Sequence, residues 1–86
     1  MVIKVLVSTF SGSSYIITVG DEEHIDELVS KIEAASVGAK YLLPLDYSKE
    51  VEDKLRRIRS SLSSYAKLLI DEALYDMNLD RQLSHR

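Results

Sequence analysis

The chain has 86 residues, 45% of them hydrophobic and 29% charged, with a formal net charge of −3. That is one small domain, because chains of this size bury only about 60–65% of their extended surface. The absence of cysteine excludes a disulfide scaffold, a thiolate zinc site, an iron–sulfur cluster and a cysteine nucleophile.

No apolar run exceeds three residues, so no segment is expected to span a bilayer. Met1–Ser8 has no basic leader and Lys4 interrupts its apolar stretch, which argues against a signal peptide and for a cytoplasmic protein. Asn78 and Gln82 are the sole side-chain amides, and with many charged residues they give a composition seen in hyperthermophile proteins.

Met1–Thr9 reads as a strand. Val2, Ile3, Val5, Leu6 and Val7 are mostly β-branched and suit a pleated surface. Both faces are largely apolar, which predicts a central strand covered on both sides. Phe10-Ser11-Gly12-Ser13-Ser14 is a turn signal, and Tyr15–Val19 is a second strand, so the two form an antiparallel hairpin.

Gly20-Asp21 opens a helix, with Asp21 as N-cap and Glu22 and Glu23 at the positive end of its dipole. Ile25, Leu28, Val29, Ile32 and Ala35 fall on one stripe, and Gly38 sits where a glycine ends a helix. Tyr41-Leu42-Leu43 is a third strand, stopped by Pro44. A crossover of this kind sets the third strand parallel to the second. With the most apolar strand at the centre, the sheet order is 2-1-3. This α+β unit fills residues 1–45. Its helix covers one face of the sheet, and the C-terminal half is expected to cover the other.

The order of hairpin, helix and third strand in MVIKVLVSTFSGSSYIITVGDEEHIDELVSKIEAAS resembles the opening of a ubiquitin-like β-grasp domain. The resemblance covers about half the chain and rests on element order. Where that family continues with two more strands, this chain has a long helix, and no conjugation function is carried over.

Residues 46–83 contain neither Gly nor Pro, and Glu50–Lys54, Glu52–Arg56 and Asp53–Arg57 are spaced to support a helix; residues 84–86 read as a tail. Val51, Leu55, Ile58, Leu62, Tyr65 and Leu69 step by four and three, a heptad seam that continues toward Ala73 and Met77. Beyond Ala66 the apolar stripe broadens and rotates, and the rotation coincides with Ser60-Ser61-Leu62-Ser63-Ser64. An unbroken helix of this length would be about 54 Å long, too long for a compact monomer of radius of gyration about 12 Å. Either it bends at 60–64, where serines compete for backbone hydrogen bonds, or it protrudes and buries its seam against a second copy. The seam keeps phase through Leu62 and Tyr65, which favours continuity. The expected function is therefore a non-enzymatic interaction module that self-associates through Val51, Leu55, Ile58, Leu62, Tyr65, Leu69, Ala73 and Met77.

The alternative is nucleic-acid or acidic-partner binding by Lys54, Arg56, Arg57, Arg59 and Lys67, since Lys54–Ile70 holds five basic and no acidic residues. The overall acidic balance weighs against nucleic acid. One His among carboxylates at Asp21-Glu22-Glu23-His24 does not specify a metal, and helix-start chemistry accounts for those residues. No catalytic constellation is visible: the histidines are His24 and His85, and Ser11, Ser13 and Ser14 lie in a loop without a nucleophile elbow. No cofactor is expected.

Overall fold

The structure, a computed structural model, describes residues 2–20 and 25–84. The capping role read for Asp21, Glu22 and Glu23, and both histidines, fall outside the described residues.

The hairpin forms as the sequence predicts. β1 (Ile3–Thr9) and β2 (Ser14–Val19) pair antiparallel with Val5 opposite Ile17. The turn between them needs Gly12 at φ 91°, a conformation in which a side chain is strained. The Thr9 hydroxyl lies 2.8 Å from both the Ser11 and Ser13 hydroxyls and accepts from the Ser13 N–H, so the turn satisfies itself.

Helix α1 (Ile25–Ser36) ends at Gly38, which takes φ 75°, and the chain returns as β3 (Ala39–Pro44). β3 lies beside β1 and antiparallel to it, giving the order β2-β1-β3 with β2 and β3 running the same way. Pro44, which has no N–H to give, ends an edge strand.

The C-terminal half is bent. Helix α2 (Lys49–Ile58) is capped by the Ser48 hydroxyl, which accepts from the Val51 N–H. A single 3-10 turn spans Arg59–Ser61, and Leu62 is extended at φ −93°, ψ 155°. Helix α3 (Ser64–Ser84) then starts in a new direction. The bend falls on the serine cluster, as the first of the two alternatives required. The longest dimension of the molecule is 36 Å, well short of the ~54 Å of a straight helix.

Two contacts hold the bend. Glu33 of α1 accepts from both the N–H and the hydroxyl of Ser63, whose carbonyl in turn receives the Lys67 N–H as the first bond of α3. A carboxylate thus sits at the positive end of α3. On the other side of the bend, Arg59 grips Asp71 through two hydrogen bonds.

All three helices lie on one side of the sheet. Ile3, Val5, Val7, Val19 and Leu42 face them and are buried, packed with Leu28 and Ile32 of α1, Leu55 and Ile58 of α2, and Leu69, Ile70 and Met77 of α3. This corrects the expectation that the C-terminal half covers the second face. Once the helix folds back at Ser60–Ser64, α2 and α3 are each short enough to pack beside α1, and the second face stays open.

Candidate interaction surface

The heptad seam is internal. Val51, Leu55, Ile58, Leu62, Leu69, Ala73 and Met77 are 0–5% exposed in the single chain. Tyr65 is half-exposed, with its hydroxyl donating to the Ala39 carbonyl of β3. The apolar periodicity is real, but its partner is this chain's own sheet. A second copy cannot reach seven of these eight residues while the fold is intact.

The basic run is split over different surroundings. Arg59 holds Asp71 at 2.6 and 2.9 Å, and this hydrogen bonding, aided by the Arg59 and Lys67 charges, holds the Asp71 carboxyl below the usual carboxylate range. Arg56 stands 3.7 Å from Glu52, a buried carboxylate also reached by Lys49 at 3.3 Å. Lys54 and Arg57 lie on another side of α2 and line a groove of about 290 Å³ with Gly20, Ile25 and Leu28. Arg56 and Arg59 thus each stand beside a carboxylate, while Lys54 and Arg57 line the groove. Among the described residues no group of three metal-binding side chains comes together.

The uncovered face of the sheet emerges as a surface that sequence reasoning passed over. Strand pairing arranges it as three rows. Ile16, Leu6 and Leu43 stand side by side across β2, β1 and β3, directly opposite one another in the ladder. On one side of this row are Thr18 and Lys4, followed by Leu45, whose N–H reaches the Lys4 carbonyl. On the other side are Ser14, Ser8 and Tyr41. Ile16 is 53% exposed and Leu45 50%, Leu6 and Leu43 are half-buried, and Val2 continues the face at its end. The three rows contain one cation, Lys4, and no carboxylate. An apolar centre with a polar border is the anatomy of a protein–protein contact.

A second exposed apolar line runs along the outer side of α3: Tyr65, Leu68, Tyr75 and Leu79, with Glu72 among them. Asp71, Asp76 and Asp80 border it. At 3–4 spacing it mirrors the buried stripe on the opposite side of the same helix.

The chain matches no protein-family model, no curated protein and no solved structure.

Proposed function

We propose that the chain is a small non-enzymatic interaction module that self-associates through the open face of its sheet. The observation that carries this reading is the row Ile16–Leu6–Leu43, apolar across all three strands on the face that no helix covers. A second copy is the fitting occupant. A two-fold axis through Leu6 sets the apolar row of one sheet against that of the other and leaves the hydroxyls and Lys4 at the border. Two such sheets stack about 10 Å apart, like the layers of a sandwich. With no carboxylate on the face, the charge that opposes self-contact is Lys4 alone, and its flexible stem lets the ammonium reach water.

The size of the face sets the strength. Three strands of about six residues cover roughly 14 by 20 Å, about 280 Å² of flat face per copy, which is small for a specific contact. A reversible dimer follows, with dissociation in the micromolar range or weaker. Light scattering from about 10 µM to about 1 mM tests it. A mass that rises above the monomer with concentration, and a lower mass for Leu6→Lys than for the natural chain at about 1 mM, is the expected result. A monomer at every concentration for the natural chain removes the reading.

The outer line of α3 supports a second reading, in which the C-terminal helix makes the contact through Tyr65, Leu68, Tyr75 and Leu79 in place of the buried seam. Its acidic borders oppose pairing with itself, since Glu72, Asp76 and Asp80 would face their own copies. Leu68→Lys distinguishes the two: it abolishes association on this reading and leaves it intact on the first.

A further inference from the structure

We propose that the free edge of β2 is a further contact between copies, in which two β2 strands pair antiparallel and each copy's Tyr15 fills a groove of the other. This rests on the chain's self-association but not on the open face as its site.

The backbone of β2 is poised for it. The Lys4 carbonyl accepts from Leu45 on the β3 side, so Lys4 and its partner Thr18 form a non-hydrogen-bonded pair between β1 and β2. In an antiparallel ladder the bonding direction alternates. Tyr15, Ile17 and Val19 therefore bond to β1, whereas the N–H and carbonyl groups of Ser14, Ile16 and Thr18 point to the free edge. The position of Lys31 agrees, since its ammonium donates to the Thr18 carbonyl from outside the ladder at 2.9 Å.

The two edges of the sheet are unequal. β3 carries Lys40 and Pro44, and Tyr65 occupies its Ala39 carbonyl. Charges, proline and side-chain covers are the usual protections of an edge. β2 reads Ser-Tyr-Ile-Ile-Thr-Val, with no charge and no proline, and Lys31 is its cover at one carbonyl. A carbonyl accepts two hydrogen bonds, so Lys31 and a new strand can share Thr18.

A groove of about 380 Å³ runs beside this edge, lined by Tyr15, Ile17, Thr18, Lys31, Ala34 and Ala35. The small Ala34 and Ala35 of α1 leave the space open. With a two-fold axis at Ile16, Ser14 pairs with the second copy's Thr18, and Tyr15 lies opposite the second copy's Ile17. Each half-exposed Tyr15 then enters the groove of the other copy. The axis stands perpendicular to the sheet, so the helices of both copies stay on one side and the open faces join into a wider one. Edge and face contacts use different surfaces of the sheet, so the two are compatible.

The test uses the Leu6→Lys chain, which lacks the face contact, with amide hydrogen exchange followed by NMR at about 20 µM and about 1 mM. The expected result is that Ser14, Ile16 and Thr18 slow by about tenfold or more at the higher concentration, while Tyr15 and Ile17 do not change. Equal rates at both concentrations for Ser14, Ile16 and Thr18 overturn the proposal. Adding Tyr15→Lys to this chain is expected to restore the fast exchange, and retained protection overturns the pairing. Failure of the open-face reading appears elsewhere, as an unchanged mass when Leu6→Lys is compared with the natural chain.

Discussion

Arg59 holds both carboxylate oxygens of Asp71, at 2.6 and 2.9 Å, across the bend that separates α2 from α3. The pair joins the last basic residue of the run at Lys54–Arg59 to the first acid of the following stretch. The basic and acidic stretches of the C-terminal half meet within one chain, because the helix folds back between them.

This pair sets an acid dependence. The Arg59 hydrogen bonds hold the Asp71 carboxyl below its usual value. A lowered carboxylate pKa contributes stability that is complete above the unfolded value near pH 3.9 and is lost as pH falls through the folded one. The pair is exposed, so its contribution is small. Asp71→Asn is expected to lower the urea midpoint at about pH 7, and its gap to the natural chain is expected to narrow as pH falls below about 4. A gap that persists in acid would assign the effect to something other than the ion pair.

Glu33 is the other fastener of the bend. Its carboxylate accepts the N–H and hydroxyl of Ser63 at the start of α3. Glu33→Ala is expected to destabilise the chain by about 1 kcal/mol, as loss of a helix cap does. Glu33→Gln should recover part of this, because one amide oxygen still accepts. Denaturant unfolding measures both.

The buried seam gives a sharper contrast. Leu55 and Leu62 lie in the core, whereas Leu68 on the outer line of α3 is 52% exposed. Leu55→Ala is expected to cost about 2–5 kcal/mol. Leu68→Ala should stay within about 0.5 kcal/mol of the natural chain. Leu62→Asp places an unpaired charge in the core of a single chain, so it should unfold the protein and not release a folded monomer. Circular dichroism of that variant separates the two outcomes.

Tyr47, in the link between β3 and α2, has its phenol pushed up by burial and then by the charges of Asp76 and Asp80. An acid whose folded value is raised lends stability that is complete below the unfolded value near pH 10 and fades as pH rises through the folded one. Tyr47→Phe is expected to be less sensitive to alkali than the natural chain in thermal melts between about pH 9 and about pH 12. Parallel melting curves would remove this role.

Much of the fold was legible because its signals are local. β-branched runs around Gly12 define the hairpin, and Gly38 and Pro44 bound β3. The bend at Ser60–Ser64 was legible as one of two outcomes, and chain length against helix length chose between them only once the second copy was removed from the argument. The open face was not read, although its signal was present. Lys4, Ser8, Ser14 and Thr18 share one side of the hairpin once Leu6 is set opposite Ile16. That alternation marks a face bordered by water, but Leu6 and Val2 masked it by making β1 apolar on both sides. The heptad seam misled for a related reason: periodicity tells which side of a helix is covered and not what covers it. The bidentate pair of Arg59 with Asp71 and the capping of Ser63 by Glu33 link residues 12 and 30 positions apart, which no local pattern encodes.

The most direct measurement is isotope-filtered NMR on an equal mixture of labelled and unlabelled chain at about 1 mM, read for contacts between copies. The expected result is contacts joining the methyl groups of Leu6, Ile16 and Leu43 in one copy to those in the other. Contacts between copies confined to Tyr65, Leu68, Tyr75 and Leu79, or no contacts at all, would contradict self-association through the open face of the sheet.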